Sequence, residues 1–204
     1  MAISEDFVAG LPKAELHVHH VGSVSQRVVA ELANRHPGKV PSDPDELARF
    51  FVFDDFAHFI RNYLLVVDLI KTAEDIRLIT YEVAADMAEQ NIRYAELTVT
   101  PYISISDDLP AEAFLEAIED ARQAAGRDHG LELRWIFDIP ADFGVPAAEL
   151  TASVALDHEV PGLVGFGLGG AERGFPRSMF RDQFDRARAA GLRAARAGPR
   201  RGRP

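Results

Sequence analysis

Short β-rich runs alternate with amphipathic stretches along this chain, and that alternation limits the possible folds more than any other feature. "AELHVHH" (14–20) is followed by an amphipathic segment from Gln26 to Arg35 and a loop rich in Pro and Asp, "PGKVPSDPDE" (37–46). An aromatic patch, "FFVFDDFAHFIRNYLL" (50–65), comes next. Thr72 to Gln90 has helical period: Thr72 is a candidate cap with Asp75 three residues on, and Ile76, Ile79, Val83 and Met87 repeat on one face. "IRYAELTVTP" (92–101) reads as a strand that Pro101 ends. Residues 110–128 read as a helix rich in Ala and Glu, and "LELRWIFDIP" (131–140) as a third strand. A helix from Ala147 to His158, a fourth strand "LVGFGLGG" (163–170) and a helix from Arg181 to Ala190 complete the pattern.

Strands alternating with helices of about 10–15 residues imply βαβ units and parallel strands. Both a doubly wound sheet and a (β/α)8 barrel fit. A dinucleotide-binding reading is weak, because no G-x-G-x-x-G follows the first strand. Neither a repeat nor a linker divides residues 1–185. The chain has 204 residues, 47% of them hydrophobic, enough for one sizeable core. It contains no apolar run of membrane-spanning length, and Ser4, Glu5 and Asp6 stand where a secretory leader would be basic; the expected setting is the cytoplasm. The absence of cysteine excludes disulfide frameworks and thiolate metal sites. Seven arginines after Asp185, with no acid among them, account for +7 of the net −10, leaving −17 on residues 1–185. So acidic a body repels a phosphate backbone and argues against nucleic acid as a partner.

The first strand carries three histidines within four positions. Strand side chains two apart share a face, so His17 and His19 point together while His20 points away. Two imidazoles so placed can ligate one metal ion, or they can be an exposed or hydrogen-bonded pair. His20 reads as a structural residue. His36, His58, His129 and His158 have no partner spacing and read as surface or core residues.

"LPKAELHVHHVGS" resembles the first strand of the adenosine deaminase family, a branch of the zinc-dependent amidohydrolase barrels, in which the motif runs P-K-x-E-L-H-x-H-L-[DE]-G-[ST]. "FDDFAHFIRNY" is similar to the family's helical lid, and "TYEVAADMAEQNIRYAELTVTP" to its helix and second strand. "LVGFGLGGAE" resembles its fourth strand, commonly G-x-D-L-x-G-x-E. The match is collinear from residue 11 to about 193. It implies a (β/α)8 TIM barrel, here truncated to about the first four βα units, over residues 1–193. His17 and His19 would be zinc ligands, and Gly170 would offer its N–H to a ring nitrogen of a purine. Phe56 and Phe59 or Ile60 would cover the base, although an ordinary amphipathic helix has the same spacing. Glu172 would be a structural acid nearby, and Gly167 stands where the family has an Asp. The implied reaction is hydrolytic deamination of a purine nucleoside, adenosine first: zinc activates water for attack at C6, a Glu protonates the ring nitrogen, and ammonia leaves. Val21 replaces the acid that accepts a hydrogen bond from the ribose 5′-hydroxyl. That replacement suits a 5′-extended substrate such as aminodeoxyfutalosine, a menaquinone precursor.

The family's H-A-G-E motif, its later His and its Asp pair do not occur in the 204 residues, so no catalytic residue is expected here and the zinc site is incomplete. Residues 194–204, "AARAGPRRGRP", switch abruptly to Arg, Gly, Ala and Pro, depart from the family pattern and read as a disordered Arg/Gly/Pro tail. Such residues are what GC-rich codons give out of frame, which points to a frameshift or a broken gene model, with a short paralogue as the alternative. Four strands of eight leave open edges through which the chain would self-associate. A non-catalytic remnant that binds partners through those edges is the competing reading. A histidine-pair phosphoesterase barrel is a third, which the aromatic lid and "GFGLGGAE" disfavour.

Overall fold

The computed structural model describes residues 4–170 and 174–195. Helix α1 (Glu5–Gly10) leads into strand β1 (Lys13–His19). Three helices follow: α2 (Gln26–Arg35), α3 (Pro44–Phe50) and α4 (Phe56–Val67). Next come α5 (Ala73–Glu89), β2 (Ile92–Val99), the short α6 (Pro101–Ser104) and α7 (Ala111–His129). The remainder is β3 (Glu132–Pro140), α8 (Gly144–Leu156), β4 (Leu163–Gly169), α9 (Arg181–Ala189) and β5 (Arg193–Ala194).

Local chemistry sets these boundaries. At the start of α5 the Thr72 hydroxyl accepts from the Asp75 N–H at 3.2 Å, and Asp75 Oδ2 accepts from the Thr72 N–H at 3.1 Å, a closed capping box. The same carboxylate oxygen takes the Lys71 N–H at 3.1 Å and His36 Nε2 at 2.7 Å, tying the end of α2 to the start of α5. After α5, Asn91 adopts a left-handed φ of 60° and turns the chain directly into β2.

All five strands are parallel and stand in chain order, β1-β2-β3-β4-β5. Right-handed crossovers between strands added in one direction put every connecting helix on the same face. Strand order with no reversal is the barrel solution, so the doubly wound alternative falls. On the helix-covered face Leu97, Val99, Leu133, Trp135, Phe137 and Phe166 pack with Ile76 and Val83 of α5, Phe114 and Ile118 of α7, and Ala148 and Ala152 of α8. Each large side chain in this core contributes roughly 1.5–3 kcal/mol of transfer free energy. A second, smaller core joins α2, α3 and α4 to Ile79 of α5, through Val28, Val29, Leu32, Leu47 and Val66.

The opposite face of the sheet is polar. Register puts Thr98 beside His19 and Ile136, and Asp138 beside Gly167, so His17, His19, Glu96, Thr98, Arg134, Ile136 and Asp138 face the barrel interior. The half-barrel expected from the sequence is therefore present, with a correction to its extent. A fifth strand begins: Arg193 pairs with Gly165, Ala194 pairs with Phe166, and the Ala195 N–H donates to the Phe166 carbonyl at 2.9 Å. The boundary placed at 193/194 thus moves beyond Ala195; residues 196–204 lie outside the described residues. Among the described residues no helix is long and apolar enough to cross a membrane.

Candidate active site

The pleat of β1 brings His17 and His19 together as the spacing predicts. Their ring centroids are 5.3 Å apart, and both side chains are exposed on the interior face. Burial, and then the neighbouring charge of His17, hold the His19 pKa below its usual value, which favours the neutral imidazole that ligates metal. Two such rings on one face fit zinc as part of a ligand set. No group of three or more His, Asp or Glu able to hold a metal occurs among the described residues, so the rest of that set is not there.

His20 is 3% exposed and points the other way, against α5. The Thr80 hydroxyl donates to the Ile76 carbonyl at 2.7 Å, leaving its oxygen free to accept from His20 Nε2 at 2.8 Å. That arrangement assigns the proton of a neutral ring to Nε2, and burial lowers the His20 pKa to about 4. This histidine is structural.

The interior face encloses a cavity of about 290 Å³, lined by His17, Glu96, Thr98, Ile136, Asp138 and Gly167 among others. Asp138 was not singled out from the sequence, yet it is the most perturbed acid of the site. It is 4% exposed, its Oδ1 accepts from the Thr100 hydroxyl at 2.5 Å, and burial raises its pKa to about 6 despite that bond. Its Oδ2 rests over β4 where residue 169 has no side chain, since a Cβ on Gly169 would collide with it. Gly170 has φ +82°, and a Cβ there would collide with Asp142 Oδ1 and lie 3.2 Å from the Ala141 N–H. Glycine is required there both for its backbone conformation and for close approach. Glu172 lies outside the described residues.

Helix α4 is capped by Asp55, whose carboxylate accepts from the His58 N–H at 2.6 Å. Its aromatic rings form a run: Phe56 to Phe59 at 5.8 Å between centroids, then Phe59 to Tyr63 at 6.1 Å, stacked. Phe56 is 76% exposed, an unusual setting for a phenyl ring, whereas Phe59 and Ile60 are half-buried. Tyr63 is also half-buried, and burial followed by the charge of Asp138 raises its pKa. Val21 departs from the expected placement. It sits in a single 3-10 turn after β1 with 8% exposure, and its side chain belongs to the smaller core rather than to the cavity. Asp138, Thr100 and Tyr63 had one weak sequence signal among them: a lone acid at an inward-facing position of the apolar run "WIFDIP".

The sequence model of the adenosine deaminase family matches residues 12–203. The aminodeoxyfutalosine deaminase of Streptomyces avermitilis is 59% identical over 191 residues, covering 92% of this chain and 53% of that protein. The adenine deaminase of Bordetella parapertussis is 32% identical over 194 residues, covering 93% of this chain and 60% of its own. The chain thus spans about half the length of the curated relatives it matches. Among solved structures, a zinc-bound amidohydrolase from Burkholderia ambifaria superposes with a TM-score of 0.82 at 24% identity, over 96% of this chain and 55% of that one, which shows the fold. By motif order, sheet topology and these matches, the chain belongs to the adenosine deaminase family.

Proposed function

We propose that these residues form the N-terminal half of a zinc-dependent purine nucleoside deaminase site whose substrate is extended at the 5′ position, aminodeoxyfutalosine being the first choice. The observation that carries the reading is the pair His17 and His19 on one face above the polar cavity, in a chain 59% identical to an aminodeoxyfutalosine deaminase. Val21, in place of a carboxylate acceptor, adds independent support for a substrate without a free 5′-hydroxyl. Adenosine, which the family resemblance put first, becomes the second reading.

His17 and His19 would hold the metal, and a bound zinc ion would supply Lewis acidity for activating water. His20 faces away from the metal and ties the end of β1 to α5 through Thr80. The Gly170 N–H would bind a ring nitrogen of the purine, and Phe56, Phe59 and Ile60 would exclude water over the base. The remaining ligands and the proton donor would come from the half of the relatives that this chain does not span.

The test joins residues 1–195 to the C-terminal half of the Streptomyces avermitilis relative and measures kcat/KM with zinc. The substrates are aminodeoxyfutalosine, 5′-deoxy-5′-methylthioadenosine and adenosine. Preference for the first supports the reading, and preference for adenosine overturns the 5′ assignment. No loss of the purine ultraviolet band with any substrate overturns the deaminase assignment itself.

A further inference from the structure

Asp138 has three features that a purely structural acid does not need together. It lines the cavity that His17 lines, it is almost wholly buried, and Thr100 is its one side-chain donor among the described residues. The neighbouring strand is shaped around it. Gly167 is its register partner, and a Cβ at 167 would stand 3.2 Å from Asp138 Cβ, while Gly169 leaves the space in which Oδ2 lies. Position 167 is where the family pattern has its β4 acid. Here β4 is bare and the carboxylate comes from the adjacent strand, and the two arrangements compete for one space.

Resting on the deaminase reading above, we propose that Asp138 is the residue that reads the sugar, its carboxylate accepting a hydrogen bond from a ribose hydroxyl while Thr100 holds Oδ1. A carboxylate can only accept. A purine nucleoside substituted at 5′ offers donors in two places, the 6-amino group and the 2′- and 3′-hydroxyls. The amino group is the one displaced at the metal, which leaves the sugar. A charge-assisted bond of this kind in a water-poor cavity discriminates strongly against an analogue lacking the hydroxyl.

The test uses the same joined enzyme and compares a 5′-substituted adenine nucleoside with its 2′-deoxy and 3′-deoxy analogues. In the parent, removing the hydroxyl that Asp138 reads should lower kcat/KM about 10- to 100-fold, as expected for a hydrogen bond to a charged group. Asp138→Asn should lose a similar factor on the intact nucleoside and should discriminate less than about threefold between it and that deoxy analogue. Thr100→Val, which frees Oδ1 without removing the charge, should give an intermediate loss and keeps the test available if Asp138→Asn misfolds. Unchanged discrimination in Asp138→Asn, or in Thr100→Val where only that variant folds, overturns the assignment while deamination itself continues. Absence of deamination by the parent overturns the function proposed above and this role with it.

Discussion

Replacing Asp138 by Asn should make the 204-residue chain more stable at neutral pH, even though it removes a buried hydrogen-bonding group. Burial raises the carboxyl from 3.8 to about 6 in the folded chain. At about 1.4 kcal/mol per pKa unit, that displacement means the ionised form opposes folding by roughly 3 kcal/mol. The unfolded chain releases this proton near pH 4 and the folded chain near pH 6, so the folded state holds more protons in between. Stability from this group is therefore full below about pH 4 and declines as pH rises to about 6. Asn preserves the shape and still offers Thr100 an oxygen, but it gives up the charge-assisted share of that bond, about 1 kcal/mol. The net expectation is a gain of about 2 kcal/mol at pH 7.5, shrinking through pH 6 and gone by about pH 4. With a urea slope of ~2 kcal/mol/M, the midpoint should rise by about 1 M at pH 7.5. Urea titrations of both proteins at half-unit steps from pH 4 to 8 measure this directly. A variant less stable than the parent at pH 7.5, or a difference flat across that range, would refute the reasoning. Such a gain would mean the cavity acid is held against stability, as expected of a group kept for a ligand.

Zinc binding, followed by competition with a chromophoric chelator, should be weak in the parent and abolished by His17→Ala or His19→Ala. His20→Ala should leave zinc affinity unchanged and instead lower the melting temperature, because it empties a buried site and removes the bond to Thr80 that ties β1 to α5. At Asp75, burial raises the pKa, but the Lys71 N–H, His36 and the Thr72 N–H together outweigh it and hold the pKa below its usual value. Asp75→Asn should therefore destabilise the chain at pH 7, and urea midpoints should show that cost fading as pH falls through the lowered native pKa. Gly169→Ala drives a Cβ into Asp138 Oδ2 and should destabilise by about 1–3 kcal/mol. The same change in an Asp138→Gly background should cost little, and a thermal double-mutant cycle reads the difference.

The elements that could be located from the sequence are those set by neighbours in the chain. The Thr72–Asp75 capping box, the one-sided period of Ile76, Ile79, Val83 and Met87, and the α2 span from Gln26 to Arg35 all appear in the structure at those residues. Each depends on contacts within a turn or two. The common face of His17 and His19 belongs to the same class, because a strand's two-residue period is a local property. What the sequence left open depends on strand order and on distant contacts. The choice of barrel over doubly wound sheet turned on where each new strand was added, and no periodicity encodes that. The two residues of β5 have no strand pattern of their own and are ordered by pairing with Gly165 and Phe166. Val21 looked like a cavity residue by its place in the motif, but the turn after β1 rotates it into the smaller core. Asp138 became a site residue only when parallel pairing set it against the bare backbone of Gly167 and brought Thr100 to its carboxylate. Its burial, and hence its chemistry, comes from neighbouring strands that only the folded chain brings together.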